Sequence, residues 1–281
     1  MSDTTNSSIV SHWQEGYFKS SDGLRLFYRI YRPRFARRSM VIFHGFGEHA
    51  HRYEKFSFYF PDTQIAIYDM RGMGQSEGEP VYVESFSRFE KDALDFLDFL
   101  NSDFPVAGER VLLGHSLGGL TLMKLRVDYE IQADRFIFSA PCFQVAVPSF
   151  ALFMNQIISK INPKFLYHHP VYYKNLSHCE FEMLSYKNDP WIMRKMTAQL
   201  LNEMVLTGKS IQKLSEISFD APLHFLLAGD DKLVRTKTAE QVYQKISAPA
   251  KTLNIYKNFY HEIFNESDQL SVFKDLQNLI R

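Results

Sequence analysis

Residues 111–120 (VLLGHSLGGL) constrain the fold of this chain more than any other stretch. A short apolar run leads into Ser116, which has a glycine two positions away on each side, and a helical pattern follows. This order predicts a strand, a sharp turn and a helix, with the serine hydroxyl projecting from the turn. Gly114 and Gly118 are expected there because a side chain would clash with the neighbouring strand or helix.

The same pattern, G-x-S-x-G, occurs a second time around Ser76. A chain of this size matches it by chance roughly one time in ten, so the context has to decide between the two serines. The apolar run 65–68 ends several residues before Ser76, and Pro80 follows where a helix would have to begin. We therefore predict that Ser76 lies in a loop and that Ser116 occupies the sharp turn.

Short apolar runs alternate with amphipathic patterns through most of the chain. Strands are predicted at 40–43, 65–68, 110–113, 136–138, 223–228 and 252–256, after a hairpin at 14–32. Helices are predicted at 53–60, 85–102, 117–128, 238–246 and 268–280. Such alternation predicts an α/β fold with a mostly parallel sheet and helices on both faces.

The alternation stops between about residues 142 and 217, where helices are predicted at 149–161 and 190–206. We interpret this region as an inserted helical cap and not as a separate domain. The predicted organisation is a flexible N-terminus at 1–13, an α/β core at 14–141 and 218–281, and a cap at 142–217.

The first cap helix is apolar on nearly all sides. Its apolar stripe packs on the core in one interpretation and forms an apolar wall over a binding site in the other. The second interpretation makes four residues candidates for substrate binding: Phe150, Phe153, Met154 and Ile157.

The bulk composition excludes several classes of protein. Hydrophobic residues make up 45% of the chain, and its 32 basic and 32 acidic residues give a formal net charge of zero, so no nucleic-acid partner is expected. No secretory signal and no membrane span of ~18 apolar residues is recognisable. Cys142 and Cys179 lack the spacing of a disulfide framework or a metal site. We therefore expect reduced thiols and a cytoplasmic location.

Candidates for an acid and a base follow two late strands. Asp230 and Asp231 come after strand 223–228, and His261 comes after strand 252–256. The carboxyl ends of parallel strands meet at one edge of a sheet, where ligands bind. A serine hydroxyl needs a base and the base needs an orienting acid, in this chain order for a turn of this kind.

Asp231 is favoured over Asp230 as the acid. The sequence Asp231-Lys232-Leu233-Val234 places two apolar residues after it, and these can pack into the core and fix the carboxylate. A solvent-exposed or helix-capping role remains for the other aspartate.

The charge that develops during attack on an ester needs two backbone N–H donors. Leu117 supplies one at the start of the helix after the serine. Phe46, between Gly45 and Gly47 in the loop after strand 40–43, is the candidate for the second. His49 and His51 form the only pair spaced as metal ligands, and no third ligand is spaced to join them. We therefore predict no metal site.

Four segments together resemble a known family: GHSLGG (114–119), HGFGEH (44–49), DMRGMGQS (69–76) and HEIFNE (261–266). The Arg52-Tyr53 pair and the Asn188-Asp189-Pro190 segment also fit. The chain is similar in these segments to the monoacylglycerol lipase and lysophospholipase group of α/β-hydrolases, the serine aminopeptidase S33-like hydrolases. Proline iminopeptidases are a poorer match, because they usually carry tryptophan after the serine, where this chain has Leu117.

This resemblance implies an α/β-hydrolase fold with an eight-stranded sheet and a helical cap that encloses an apolar tunnel. It implies a Ser116–Asp231–His261 triad that hydrolyses an acyl ester without a cofactor. Phe46 is larger than the usual residue of the family, which would narrow the acyl entrance. The cap is the least similar part, and it sets the choice of substrate.

The expected function is cleavage of carboxylic esters of single-acyl-chain lipids, either monoacylglycerol or lysophospholipid, through an acyl-enzyme. The cap would touch a membrane surface transiently, at the inner face. Two alternatives stay open: a short-chain or aromatic carboxylesterase or amidase, and a binding module that has lost catalysis.

Overall fold

The computed structural model describes residues 12–168 and 171–280. Most of the predicted flexible N-terminus, residues 1–11, lies outside the described residues. The last two residues of that predicted segment already belong to the first strand.

An eight-stranded sheet forms the centre of the molecule. Its strands are β1 (His12–Lys19), β2 (Arg25–Arg32), β3 (Arg38–Phe43), β4 (Thr63–Tyr68), β5 (Glu109–His115), β6 (Arg135–Ser139), β7 (Leu223–Ala228) and β8 (Lys251–Tyr256). They are arranged in the order β1-β2-β4-β3-β5-β6-β7-β8. The β1–β2 and β2–β4 pairs are antiparallel, and the other pairs are parallel.

Eight helices accompany the sheet in the described part of the chain. They are α1 (Phe56–Tyr59), α2 (Ser87–Asp103), α3 (Leu117–Tyr129), α4 (Ser149–Ile161), α5 (Glu180–Asn188), α6 (Ala198–Lys213), α7 (Thr236–Gln244) and α8 (Gln269–Leu279). Short 3-10 turns lie at Ala50–Tyr53, Tyr173–Asn175 and Ile263–Asn265. None of these helices combines the length and apolarity needed to cross a membrane.

Two hydrophobic clusters cover the two faces of the sheet. One contains residues of α2, α3, α6 and α7, and the other contains residues of α1 and α8. Strand β4 is buried along its whole length, as expected for a strand covered on both sides. The predicted α/β-hydrolase fold, with helices on both faces, is confirmed.

The segment between β6 and β7 carries α4, α5 and α6. The predicted helix over 190–206 is wrong in its first half, because α5 ends at Asn188, ahead of Pro190, and a short strand, Lys195–Thr197, comes next. Helix α6 begins at Ala198 because the Thr197 hydroxyl accepts the Leu200 N–H at 3.2 Å and caps the first turn.

Candidate active site

Ser116 occupies the sharp turn between β5 and α3. Its φ of 51° and ψ of −113° are strained for a residue with a side chain. The Ser116 N–H donates to the Ser139 carbonyl, and the Ser116 carbonyl accepts the Cys142 N–H, both at 3.0 Å. A Cβ on Gly118 would lie 2.0 Å from the Phe43 carbonyl oxygen, so only glycine fits. The backbone therefore holds the hydroxyl out from the turn.

Ser76 has a different environment. Its hydroxyl accepts the Phe27 N–H at 2.9 Å and donates to the Asp69 carbonyl. The Asp69 carboxylate in turn accepts the N–H groups of Ala50 and Gln75, at 2.7 and 2.8 Å. Ser76 is a loop residue whose hydroxyl ties β2 to the loop after β4.

His261 and Asp231 lie together at the carboxyl ends of β8 and β7. His261 Nδ1 is 2.7 Å from Asp231 Oδ2, and both side chains are buried. The other oxygen, Asp231 Oδ1, accepts the N–H groups of Leu233 and Val234 at 2.8 and 2.9 Å. Asp230 instead points outward and pairs with Lys232.

The electrostatics of this pair favour a strong base. Burial opposes the charged form of His261, but the charge of Asp231 and its hydrogen bond outweigh burial and raise the pKa of His261. Burial likewise opposes ionisation of Asp231, but His261 and the backbone N–H groups lower its pKa. A carboxylate at Nδ1 fixes the tautomer that carries the proton there, which leaves Nε2 as a proton acceptor.

One cavity of about 450 Å³ brings Ser116 and His261 together. Its volume lies in the range of about 300–1,000 Å³ that is usual for small-molecule sites. Apolar side chains of the segment between β6 and β7 line much of it, among them Met196, Leu201 and Met204.

The loop after β3 contributes Phe46, which also lines the cavity. The backbone N–H groups of Phe46 and Leu117 have no acceptor among the residues that the structure describes. The N–H of Leu117 is at the start of α3, where helix geometry leaves it free. His44 holds the base of this loop: its Nε2 accepts the Met70 N–H at 2.9 Å, and its Nδ1 is 2.7 Å from the Gly45 carbonyl oxygen.

A polar group of four side chains, Glu48, Arg52, Glu262 and His115, lies beside the serine. Glu48 Oε2 accepts the Gly45 N–H at 2.7 Å, and its Oε1 is 3.2 Å from Arg52 Nε. Arg52 also pairs with Glu262, so two carboxylates share one guanidinium. His115 is the fourth member of this polar group. Burial lowers its pKa to about 4, so the ring is neutral at pH 7.

Sequence reasoning missed this polar group as a unit. Glu48 and Glu262 stand inside two of the quoted motifs, but 210 residues separate Arg52 from Glu262. Each carboxylate follows a candidate site residue closely in the sequence, and that position was the available signal.

The four candidate substrate residues of α4 do not line the cavity. Phe150, Phe153, Met154 and Ile157 are 75%, 58%, 38% and 39% exposed. The prediction that they form the substrate wall is wrong, because α4 turns a short polar stripe inward: its two buried residues are Asn155 and Ser159.

Asn155 is the buried centre of that stripe, and it lines the cavity. Its Nδ2 donates to the Ala198 carbonyl at 3.2 Å, and its Oδ1 accepts the Tyr167 hydroxyl at 2.9 Å. These hydrogen bonds satisfy the polar atoms that face inward, so the apolar side of α4 is left outside.

His49 and His51 contact different partners. His49 bonds to Asp189, and the ring of His51 stacks on Phe27 with centroids 5.8 Å apart. Across the described ranges, no three His, Cys, Asp or Glu side chains converge as metal ligands.

The sheet order, the sharp turn after β5 and the residues at the ends of β7 and β8 define an α/β-hydrolase. The chain matches the family model "Serine aminopeptidase, S33" over residues 35–268. It therefore belongs to this family of hydrolases.

Three similar proteins illustrate the relationship. The chain is 26% identical over 283 residues to a monoacylglycerol lipase of Mycolicibacterium smegmatis, covering 97% of this chain and 98% of that protein. It is 28% identical over 278 residues to the uncharacterized protein YnbC of Escherichia coli, covering 95% of this chain but only 46% of YnbC. A crystal structure of Paleococcus ferrophilus monoacylglycerol lipase superposes with a TM-score of 0.81 at 22% identity, covering 91% of this chain and 98% of that one. These matches confirm the resemblance to the monoacylglycerol lipase group.

Proposed function

We propose that this protein is a serine hydrolase that cleaves carboxylic esters of single-acyl-chain lipids, with monoacylglycerol as its favoured substrate. One observation carries the proposal. The strained Ser116 and the buried His261, bonded to Asp231 at 2.7 Å, line one largely apolar cavity. We propose Ser116 as nucleophile, His261 as general base and Asp231 as the acid that orients it.

The reaction follows from this arrangement. Ser116 Oγ attacks the ester carbonyl while His261 Nε2 takes the hydroxyl proton. The oxygen of the tetrahedral intermediate accepts the N–H groups of Phe46 and Leu117, which no protein acceptor competes for in the described chain. His261 then donates its proton to the leaving alcohol, and the acyl group stays on Ser116. A water molecule then attacks the acyl carbonyl while His261 Nε2 takes its proton. His261 returns this proton to Ser116 Oγ as the acyl–oxygen bond breaks, which releases the acid and restores the serine.

The cavity lining has an apolar part and a polar part, which suit the two parts of a monoacylglycerol. Apolar side chains such as Leu201 and Met204 offer an environment for the acyl chain. Glu48, His115 and Glu262 line the cavity beside the serine and can bond to a polyol. The similarity to proteins named monoacylglycerol lipase supports this choice.

A lysophospholipid fits the polar part less well. Its phosphate needs a free cation, but Arg52 is already shared between Glu48 and Glu262. Lys232 is the single lysine or arginine in the cavity lining of the described chain, and it pairs with Asp230. The phosphate would therefore meet carboxylates without a compensating charge.

The decisive test is hydrolysis of a panel of monoacylglycerols, lysophospholipids and p-nitrophenyl esters by the purified protein. We expect acid release from monoacylglycerol, its loss in Ser116→Ala, and its retention in the matched control Ser76→Ala. Full activity in Ser116→Ala would contradict the proposed nucleophile. Maximal activity on acetyl or butyryl esters would favour a short-chain esterase instead.

We further propose that residues 142–217 act as a cap that touches a lipid surface. Three side chains of α4 carry the argument: Phe150 and Ile161 are 75% and 79% exposed, and Phe153 is 58% exposed. Exposed apolar residues grouped on one helix face mark an interaction site. We propose that the protein acts in the cytoplasm, peripheral to the inner face of a membrane.

Liposome flotation tests the lipid contact. We expect the unmodified protein to float with liposomes, and a variant that combines Phe150→Ser with Phe153→Ser to float with them less. Phe58→Ser is the matched control, because Phe58 is 79% exposed but lies on α1, outside the cap. Absence of flotation by the unmodified protein, or equal loss in the control, would contradict a contact through α4.

A further inference from the structure

The cap segment 189–193 touches the loop that carries Phe46. The Met193 N–H donates to the Gly47 carbonyl at 3.0 Å. His49 Nε2 is 2.8 Å from Asp189 Oδ2, although 140 residues separate the two in sequence. Both contacts lie within three residues of the proposed oxyanion donor.

Hydrogen bonds on both oxygens of Asp189 fix the contact between His49 and Asp189. Burial lowers the pKa of His49 in spite of the nearby Asp189 carboxylate, so the neutral ring donates its Nε2–H. The second carboxylate oxygen of Asp189 accepts the Trp191 N–H at 2.8 Å. The carboxylate therefore joins the turn at 189–191 to the buried ring of His49.

The core holds the other side of the same loop. Glu48 accepts the Gly45 N–H at 2.7 Å, on the near side of Phe46. Gly47, on the far side, has a φ of 75°, and a Cβ there would lie 2.8 Å from the Met193 carbonyl oxygen. His44 Nδ1, 2.7 Å from the Gly45 carbonyl oxygen, and Met73 Sδ, which accepts the Gly47 N–H at 3.4 Å, hold the two peptides of Phe46 from the core side. The cap holds the next peptide, through the Gly47 carbonyl.

We propose that Asp189 is a positioning residue for oxyanion stabilisation. Its bond to His49, together with the Met193–Gly47 bond, holds the loop so that the Phe46 N–H faces the ester oxygen. This inference rests on the proposed function, because it assigns part of that chemistry to the cap. Docking of segment 189–193 then contributes to the geometry of the oxyanion site.

A positioning role differs measurably from a role in holding the acyl chain. If Asp189 only kept the cap in place, its loss would weaken the binding of long acyl chains. The N–H donors stabilise the oxyanion of every ester, so misplacing one of them lowers kcat on the shortest ester as well. An acetyl ester and a dodecanoyl ester of p-nitrophenol therefore separate the two roles.

We expect Asp189→Ala to lower kcat about 10- to 100-fold on both esters, with KM nearly unchanged, since small misplacements of catalytic groups have effects of this size. His49→Ala should do the same, and the double variant should be no worse, because both changes break one bond. Asp189→Asn should retain most activity, since its oxygen accepts the Trp191 N–H and its amide donates to His49 Nε2 in the tautomer that carries the proton on Nδ1.

Glu180→Ala is the matched control, because Glu180 is an exposed acid of the cap and makes no ion pair in the described chain. Unchanged kcat on the acetyl ester in Asp189→Ala, with loss confined to KM for the dodecanoyl ester, would overturn the positioning role. If Asp189→Ala fails to fold, His49→Ala tests the bond from the core side. An active Ser116→Ala would instead overturn the proposed function itself.

Discussion

The strand ends and the cap contribute to the same cavity, but different forces fix them. Asp231 is held by two backbone N–H groups at the end of β7, and Ser116 is held by the packing of β3, β5 and α3. Helix α4 is held by side-chain bonds of Asn155, and much of its apolar surface is exposed. The comparison teaches that the residues at the strand ends are fixed by the backbone of the sheet, while the segment between β6 and β7 is fixed against it by side-chain contacts.

The largest effect should come from the strand ends. Asp231→Asn should lower kcat about 10⁴-fold, because the amide no longer fixes the correct tautomer of His261. Asp230→Asn, one residue away, should leave kcat nearly unchanged, since Asp230 faces solvent and pairs with Lys232. Steady-state kinetics of both variants measure these effects. Equal losses of kcat would contradict the assignment of Asp231, and not Asp230, as the orienting acid.

The pH profile tests the same pair. His261 must be neutral to act as a base, so kcat/KM should rise with pH through the pKa of His261, which Asp231 raises above the ordinary 6.5. Residual activity of Asp231→Asn should show this limb at lower pH, because the raising charge is gone. A limb that stays in place in the variant would mean that another group controls it.

The cap should yield a smaller effect that depends on the substrate. Leu201→Trp should lower kcat/KM about tenfold on long acyl esters by filling the cavity, and it should spare the acetyl ester. Leu206→Trp on the same helix is the matched control, since Leu206 is 45% exposed and does not line this cavity. An equal loss on all chain lengths would contradict a role of Leu201 in holding the acyl chain.

The smallest effect concerns the orientation of α4. Asn155→Ala should lower the free energy of unfolding by about 1–3 kcal/mol, because it leaves the Ala198 carbonyl and the Tyr167 hydroxyl without their partner. Phe150→Ala should change it by less than about 0.5 kcal/mol, since Phe150 is 75% exposed. Denaturant unfolding of the two variants compares them, and the reverse order would contradict the inward polar stripe.

The sequence allowed the strand-end residues to be placed because their positions follow from local patterns. An apolar run, a serine between glycines, and an acid or a histidine after a strand all have fixed geometry in a parallel sheet. The predictions for Ser116, Asp231 and His261 depended on nothing more distant than the strand order.

The cap could not be placed in the same way. Helix α4 is apolar on nearly all sides, so its periodicity did not show which face points inward. The start of α6 depends on the Thr197 cap, and the bond between His49 and Asp189 joins residues 140 positions apart. Such contacts depend on the folded arrangement of the cap against the core, which no local pattern encodes.

The most direct test of the central claim is to identify the residue that reacts with a fluorophosphonate probe. The probe requires a serine activated by a base, and peptide mass spectrometry locates the adduct. We predict a single adduct on Ser116 that is lost in His261→Ala. An adduct on Ser76, or none on the folded protein, would contradict the account.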